Sequence, residues 1–304
     1  MHTAPGYKLV RLRNGAFSVR SLADDETFHP GIGPVAEAEA LYVRQLRLPE
    51  RIRETDGEFV IWDVGLGAAA NALTAIRLIR ENLTGANLKK KRLRVVSFDR
   101  TGDALSFALR HSAELDYLAG NEIALNELLK NRFARIESAA LEVNWTFELC
   151  DFPILLSQRR ADEIENTEIA PHAILFDPHS PKKNPAMWTI SVFENLFHRL
   201  DLRRPCALAD FTRSTMARTA ILLGGFYVGI GRPSGLKEET TVAANRIELL
   251  GEPLDRRWLE RAKRSDSAEP LREAVYRREP LSAETLKLLE RHPQFSPAES
   301  QMKK

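Results

Sequence analysis

Four aspartates stand where apolar stretches of this sequence end, and together they could surround one ligand. Each follows a run that reads as a β-strand: "FVIW" precedes Asp63, "LRVVSF" Asp99, "VNWTFELC" Asp151 and "HAILF" Asp177. In an open parallel sheet, ligands bind outside the carboxyl ends of the strands. A single acid in such a position more often caps a helix or begins a turn. Four in order along the chain favour a shared binding site.

The first of these acids also begins a glycine turn, Asp63-Val64-Gly65-Leu66-Gly67, which leads from a strand into a helix. Nucleotide-binding turns have this form, because glycine lets the backbone approach a ligand closely. A dinucleotide enzyme would have a third glycine, where this chain has Ala69, and would hold a pyrophosphate at the helix N-terminus. A carboxylate at Asp63 would repel a pyrophosphate and suits an ammonium group instead.

The acids near the turn therefore favour S-adenosyl-L-methionine over a dinucleotide. Asp63 suits the ammonium of its amino acid end. Asp99 ends the next strand, from which an acid binds ribose hydroxyls. Asp151 adds a third acid at the same edge of the sheet. We predict a cofactor site formed by Asp63, Gly65, Gly67, Asp99 and Asp151.

A proline-rich loop follows the fourth strand in "LFDPHSPKKNPAMWT", residues 175–189. Its prolines stiffen the backbone that holds Asp177. A rigid carboxylate can accept the hydrogens of a substrate amine, orient its nitrogen and help remove its proton. Asp177 is therefore the predicted catalytic residue. His179 could relay the proton, although a surface loop position is the more ordinary role, and Asn184-Pro185 suits a helix start.

Alternating strand and helix patterns predict an α/β fold with helices on both faces of a parallel sheet. We expect a seven-stranded, mostly parallel sheet whose last strand, near residues 240–245, is antiparallel. Asn14-Gly15 between alternating apolar residues predicts an N-terminal β-hairpin near the sheet edge or the mouth of the site. Dense charge with sparse Leu and Trp predicts a helical C-terminal extension. The predicted segments are residues 1–50 (hairpin), 51–250 (the α/β domain) and 251–304 (the extension).

Composition sets the remaining limits. The 304 residues are 43% hydrophobic, which is enough for a sizeable core. A net charge of +2 does not by itself argue for a nucleic-acid partner. Cys150 and Cys206 lie far apart in apolar stretches, which predicts buried free thiols and no metal site. No apolar run approaches membrane-spanning length and no signal pattern begins the chain, so a cytoplasmic protein is expected, without a membrane partner.

Both motifs together resemble a known family, the methyltransferases that complete 5-methylaminomethyl-2-thiouridine at the tRNA wobble position. The resemblance covers residues 8–250 and is most specific at 177–188. Its motifs here are Gly65-Leu66-Gly67 with Asn71, Asp177-Pro178-His179-Ser180-Pro181, Asn184-Pro185 with Trp188, Thr212, Arg218, Gly225-Phe226 and "GLKEE" with Lys237. Two departures are "GLGAAAN", where the family usually has GFGTGLN, and His179, where it has a small or apolar residue.

The resemblance implies a Rossmann-like class I methyltransferase fold and S-adenosyl-L-methionine as the cofactor, with Asn71 in its site. It implies N-methylation of 5-aminomethyl-(2-thio)uridine and contact with the anticodon region of tRNA. The implied substrate residues are Glu37 (or Glu39, if counted from Tyr42), Pro178, Lys182, Lys183, Asn184, Trp188 and Lys237. The family's domain occurs alone or fused to an FAD-dependent oxidase domain, and this sequence shows no FAD fingerprint.

Several alternatives stay open at this point. The chain could methylate another amine, or bind the cofactor without turnover. A basic surface around Asp177 would favour tRNA, whereas a closed apolar pocket would favour a small metabolite. Lys182-Lys183 is the best placed of the basic segments because it lies beside Asp177. Trp188 could stack on the wobble base or belong to the core.

Overall fold

The computed structural model describes residues 6–83, 89–158, 170–235 and 238–296, and it begins with a small antiparallel sheet. Strands β1 (Tyr7–Arg11), β2 (Phe17–Ser21) and β3 (Glu26–Thr27) follow one another in this sheet. Gly15, with φ of 89°, supplies the left-handed residue in the connection between the first two strands. The predicted hairpin is thus confirmed, and residues 24–30 extend from it to the candidate site.

The main sheet of the described residues contains eight strands. In chain order they are β4 (Glu58–Val64), β5 (Lys91–Asp99), β6 (Phe133–Glu137), β7 (Leu141–Leu149), β8 (Ala173–Phe176), β9 (Ala207–Asp210), β10 (Tyr227–Gly231) and β11 (Thr240–Ala244). Their spatial order is β10-β11-β9-β8-β4-β5-β7-β6. The five strands from β9 to β7 are parallel, and β11 is antiparallel to both of its neighbours. The α/β class and the antiparallel last strand were predicted correctly.

The predicted number of seven strands was wrong because β6 adds an antiparallel strand at the edge beside β7. The segment "EIALNELLKNRF" reads as a helix through Phe133, but the helix ends at Asn131. Arg132 then adopts a left-handed backbone conformation, with φ of 61°. This residue turns the chain out of the helix and into the extra strand.

Helices cover both faces of the main sheet, as the alternation of β4 requires. Phe59 and Ile61 of β4 belong to one apolar core, and Val60 and Trp62 belong to the other. The first core includes α1 (Pro34–Ala38), α2 (Leu48–Glu54), α3 (Ala70–Asn82), α4 (Asp103–Arg110) and α5 (Glu122–Asn131). The second includes α6 (Phe152–Gln158), α7 (Ile190–His198), α8 (Thr215–Leu223), α9 (Arg256–Lys263) and α10 (Ala283–Arg291).

Shorter helical segments join these elements: a π-helix at Glu39–Arg44 and 3-10 helices at Asp116–Leu118, Pro185–Trp188 and Ile247–Leu249. None of the helices in the described part of the chain combines the length and apolar character that crossing a lipid bilayer requires.

The C-terminal extension packs on the sheet through α9 and α10. Trp258, Leu259 and Leu289 are buried in the second core. Gln294 follows α10 and pairs with the edge strand β10: its side-chain oxygen accepts from the Val228 N–H at 2.8 Å, and its amide donates to the Val228 carbonyl at 2.7 Å. The glutamine thus satisfies the Val228 N–H of an edge strand, and it shares the Val228 carbonyl with the N–H of Leu254.

Candidate active site

A cavity of about 480 Å³ opens at the carboxyl ends of the central strands. From β4 the chain proceeds to β5 on one side and later returns to β8 on the other, so the cavity lies at the switch point where doubly wound sheets bind ligands. Its wall comprises the glycine turn, residues 99–101, 150–153 and 177–179, and residues 24–30. The structure therefore brings the ends of four parallel strands and the N-terminal sheet to one site.

The glycine turn is shaped by close approach of two backbones. Gly65 has φ of 97°, and a Cβ at this position would lie 2.6 Å from the carbonyl oxygen of Asp177. Gly67, with φ of 50°, donates its N–H to Oδ2 of Asp99 at 3.0 Å. Ala69 stands in the place of a third glycine with a left-handed φ of 63° and precedes α3. An alanine can therefore occupy this position, at some conformational cost.

Asp63 lies beneath the turn and does not line the cavity, since its side chain is fully buried. Ser97 Oγ donates to Asp63 Oδ2 at 2.6 Å, and the indole N–H of Trp145 donates to Ser97 at 2.9 Å. No described residue hydrogen-bonds the other oxygen, Oδ1. Burial raises the pKa of Asp63 to about 7, against the opposing hydrogen bond from Ser97. Direct contact with the cofactor ammonium stays a prediction that this enclosed geometry does not favour.

Asp99 and Asp151 do line the cavity. Burial raises the pKa of Asp99, although backbone N–H groups, first that of Gly67, oppose the shift. Asp151 Oδ1 accepts from the N–H of Ile154 at 3.2 Å, in the first turn of α6. Cys150 was predicted to be buried, but it is partly exposed and also lines the cavity, because it follows the carboxyl end of β7.

The carboxylate of Asp177 is held by residues from three different elements. Asn71, in the first turn of α3, donates to Asp177 Oδ2 at 2.7 Å. His29 Nε2 lies 3.1 Å from the same oxygen, and the hydroxyl of the buried Tyr42 lies close enough to lower the carboxyl pKa. Burial alone would raise the pKa of Asp177, but these partners, above all His29, lower it. Asp177 is therefore ionised at neutral pH.

His29 and Tyr42 are site residues that the sequence analysis missed. His29 lies in the loop before α1 with a left-handed φ of 48°, an unusual conformation for a non-glycine residue. Its Nε2 is also 3.0 Å from the side-chain oxygen of Asn71. Burial would lower the pKa of His29, but Asp177 and then Glu37 raise it. The histidine in the segment "FHPGIG" was a possible signal of a site residue, but hydrophobic periodicity does not predict which part of the fold a loop contacts.

Of the two glutamates considered for the substrate site, Glu37 lines the cavity. It belongs to α1 and is buried, with 6% of its surface exposed. Glu39 instead accepts from Nε of Arg44 at 2.9 Å, away from the cavity wall. Counting from Gly33 thus selects the glutamate that the fold brings to the site.

His179 joins the proline-rich loop to the N-terminal sheet. Its Nε2 lies 3.2 Å from Asp24 Oδ2, and its Nδ1 lies 3.2 Å from Glu26 Oε2. Burial would lower the pKa of His179, but Glu26 and Asp24 raise it. Because both ring nitrogens face carboxylates of the hairpin, His179 is neither a free surface residue nor positioned as the relay for Asp177. We call this three-residue contact the histidine clasp.

The remaining predicted substrate residues differ in position. Pro178 and Asn184 line the cavity. Asn184 precedes the Pro185–Trp188 segment without a capping side-chain bond, and that segment is a 3-10 turn. Lys182 and Lys183 are exposed on the loop and do not line the cavity. Lys237 lies outside the described residues.

Trp188 cannot stack on a base in this structure. Its side chain is 0% exposed, it packs edge-on against Phe176 and Phe211, and its indole N–H donates to the His179 carbonyl at 2.9 Å. The core alternative for Trp188 is therefore correct. The indole supports the loop that carries the histidine clasp.

Two residues of the family pattern, Arg218 and Thr212, form hydrogen bonds with the antiparallel strand β11. The buried Arg218 donates to Thr241 Oγ1 at 3.0 Å and to the Thr240 carbonyl at 2.8 Å. Thr241 Oγ1 in turn donates to the Thr212 carbonyl at 2.7 Å. These residues fix β11 against the end of β9, where a further buried acid, Asp210, accepts from the Thr212 N–H at 2.7 Å.

Comparison with known proteins shows which proteins the chain resembles. Residues 122–246 match the model of a family described as S-adenosyl-L-methionine-dependent methyltransferase. The chain is 28% identical over 221 residues to the tRNA 5-methylaminomethyl-2-thiouridine biosynthesis bifunctional protein MnmC of Aeromonas hydrophila subsp. hydrophila, covering 70% of this chain and 32% of that protein. The protein of the same name from Burkholderia mallei strain SAVP1 is 25% identical, over 75% of this chain and 32% of its own length.

The fold agrees with these matches. The crystal structure of MnmC2 from Aquifex aeolicus superimposes with a TM-score of 0.63 and 22% identity, covering 93% of this chain and 83% of that one. The predicted class I methyltransferase fold is therefore confirmed, and the predicted resemblance is supported: residues 122–246 match the S-adenosyl-L-methionine-dependent methyltransferase family, and the chain is similar to the MnmC proteins. It spans about a third (32%) of the length of the curated relatives it matches.

Proposed function

We propose that this chain transfers a methyl group from S-adenosyl-L-methionine to the amine of 5-aminomethyl-(2-thio)uridine at the wobble position of tRNA. One observation supports this most strongly: the backbone of the glycine turn touches that of Asp177, since a Cβ on Gly65 would lie 2.6 Å from the Asp177 carbonyl oxygen. The carboxylate that suits an amine thus adjoins the turn that suits the cofactor. Methyl transfer needs its two reactants held in line at such a short range.

The residues of the turn fit the cofactor. Gly65 and Gly67 line the cavity with backbone, and at Gly65 the absence of a Cβ allows the turn to lie against the backbone of Asp177. Asp99 is fixed by the Gly67 N–H and presents its carboxylate where ribose hydroxyls can donate to it. Asn71 reaches from the first turn of α3, the helix that follows the glycine turn, to Asp177 and so connects the cofactor side to the amine side. When bound, S-adenosyl-L-methionine supplies an electrophilic methyl group on a positively charged sulfur.

Asp177 prepares the substrate amine for attack. The ionised carboxylate attracts the ammonium form and accepts its N–H hydrogens, so that the nitrogen is held in one orientation. Asn71 and His29 both contact Oδ2, which fixes the plane of the carboxylate. The amine must then lose a proton, because only the free lone pair can form the new bond to carbon.

The tRNA substrate is supported by the relatives and by charge near the cavity. The names of both MnmC relatives place them in the biosynthesis of a modified tRNA nucleoside. Arg100 lines the cavity and is exposed, and Lys182 and Lys183 are exposed on the loop that begins with Asp177. These cations can contact phosphates of the anticodon region while the modified base enters the cavity.

The test is mass analysis of nucleosides from tRNA incubated with the protein and a methyl-labelled cofactor. The tRNA should come from cells that accumulate the 5-aminomethyl nucleoside, with matched tRNA lacking it as the control. The proposal predicts one labelled methyl on the aminomethyl nucleoside and none in the control. Cofactor binding without labelling of either tRNA would contradict the substrate, and labelling of a free amine alone would favour a small-molecule substrate.

A further inference from the structure

The imidazole of His29 has one ring nitrogen in use and one without a partner. Nε2 lies 3.1 Å from Asp177 Oδ2 and 3.0 Å from Asn71 Oδ1. Both of these oxygens are acceptors, so Nε2 carries a hydrogen. Nδ1 is buried, and no described residue hydrogen-bonds it.

This arrangement fixes where a proton can be added. When Nε2 holds the hydrogen, the lone pair of the neutral ring is on Nδ1. The Asp177 carboxylate orients the ring and stabilises the cation that forms on protonation, as the carboxylate of a catalytic triad does for its histidine. His29 is also part of the cavity wall, together with Asp177 and the glycine turn.

We propose that His29 is the proton acceptor of this site, and that Nδ1 takes the proton which the substrate amine loses before methyl transfer. The inference rests on the proposed function, because it assigns a residue to a step of that reaction. Asp177 then holds and orients both the amine and the imidazole, and the proton leaves through His29.

An N–H bond of the ammonium breaks and an N–H bond forms at Nδ1, directly or through one water. The freed lone pair forms the N–CH₃ bond, while the electron pair of the breaking C–S bond stays on sulfur, which becomes neutral. The methylated amine leaves as a cation, and His29 later releases its proton to solvent.

The charged groups that face His29 make this role possible near neutral pH. Asp177 follows β8, Glu37 lies on α1, and Asp63 lies in β4 one residue before its end. Tyr42, in the π-helix, interacts with Asp177. Asp177 and Glu37 favour the imidazolium and outweigh the opposing effect of burial, so the pKa of His29 lies above its usual 6.5. A base works best when its pKa lies near the working pH, because it is then both free and basic.

The left-handed backbone at His29 is consistent with a functional constraint. A φ of 48° is uncommon for a residue with a side chain, and such strain collects at sites where the surrounding structure fixes the residue. Glycine adopts this conformation freely. The variant His29→Gly therefore preserves the backbone while removing the ring.

The test compares the pH dependence of single-turnover methylation in the wild-type chain, His29→Gln and His29→Gly. Glutamine keeps an N–H donor toward Asp177 but has no base, so its rate should fall by about 10²- to 10⁴-fold with cofactor affinity unchanged. The pH at which the rate levels off should also rise toward the pKa of the substrate amine, which all variants share. Added imidazole should raise the rate of His29→Gly and leave His29→Gln unchanged. His198→Gln, at an exposed histidine on α7, is the control.

Two results would overturn the assignment. One is a pH profile of His29→Gln with the wild-type shape, which would mean that His29 only supports Asp177 structurally. The other is a His29→Gly variant that binds the cofactor and stays unaffected by imidazole. A wild-type chain that binds the cofactor but methylates no tRNA contradicts the proposed function instead, so the two failures are distinct.

Discussion

The cavity has a cofactor side and an amine side, which are built in different ways. On the cofactor side, Gly67 and Asp99 come from neighbouring parallel strands joined by one helix, α3. On the amine side, Asp177 is hydrogen-bonded to Asn71, which is 106 positions away in the sequence. The Asn71 side chain also contacts His29, which is 42 positions away from it. One side follows from a single strand-helix-strand unit, and the other depends on long-range packing.

This difference predicts that substitutions on the two sides have separate effects on cofactor affinity and on turnover. The glycine turn is held by the sheet itself, through main-chain bonds such as Gly65 N–H to the Phe98 carbonyl at 2.9 Å. The amine side also depends on the N-terminal sheet, which the histidine clasp joins to the loop after β8. Changes on the amine side should therefore reduce turnover with the cofactor affinity kept, and changes at the turn should reduce that affinity.

The largest effect is expected for Asp177→Ala. Turnover in a single-turnover assay should fall by about 10²- to 10⁴-fold, because the variant loses the group that holds the amine. Calorimetry should show nearly unchanged cofactor affinity. Asp56→Ala, at an exposed acid before β4, is the control. Near wild-type methylation by Asp177→Ala would remove this residue from the mechanism. The variant Asp177→Asn keeps an acceptor for Asn71, so it shows whether a loss of turnover comes from a disturbed structure or from the missing charge.

Gly65→Ala should disturb the cofactor side and should also displace Asp177. The new Cβ would meet the Asp177 carbonyl oxygen at 2.6 Å. We expect the free energy of unfolding to fall by about 1–3 kcal/mol, the usual cost of overpacking, and cofactor binding to weaken because the turn is displaced. Gly57→Ala is a matched control, since Gly57 has a similar φ of 90° with nothing within 4 Å of its Cβ position. Equal cofactor affinities for the two variants would show that the contact with Asp177 is unimportant.

Asp99→Ala tests the acid assigned to the ribose hydroxyls. Loss of charge-assisted hydrogen bonds should weaken cofactor binding by roughly 1.5–3 kcal/mol in calorimetry. Turnover at saturating cofactor should fall much less. Asp103→Ala removes an exposed carboxylate of the first turn of α4 and serves as the charge control. Wild-type affinity in Asp99→Ala would remove this residue from the ribose site.

The smallest effect is expected for His179→Gln, and it should depend on pH. The pKa of His179 is raised above 6.5 and that of Glu26 is lowered below 4.5 in the folded chain. The contribution of His179 is therefore complete below pH 6.5 and declines as the pH rises through its raised value, whereas that of Glu26 is lost in acid. At pH 6 the variant should lose about 1 kcal/mol of unfolding free energy, as for a partly exposed ion pair, and less at pH 9. A loss that is constant with pH would contradict the clasp.

The sequence predicted the cofactor side better than the amine side, for a physical reason. A strand ending in Asp63, a turn with two glycines and a following helix are local patterns, so their geometry follows from chain order. Nothing local indicated that His29 would meet Asp177, because the partner of a loop is decided by tertiary packing. For the same reason Trp188 was ambiguous until its burial was known, and β6 was hidden in a helical pattern that ended at Arg132.

The division of the cavity into two sides is tested most directly by a crystal structure with S-adenosylhomocysteine, the product form of the cofactor. We expect its ribose hydroxyls within hydrogen-bond distance of Asp99, and its sulfur facing the Asp177 carboxylate across the cavity. The His29 ring should remain in contact with Asp177. A ligand bound elsewhere, or bound with its sulfur directed away from Asp177, would contradict the division of the cavity into a cofactor side and an amine side.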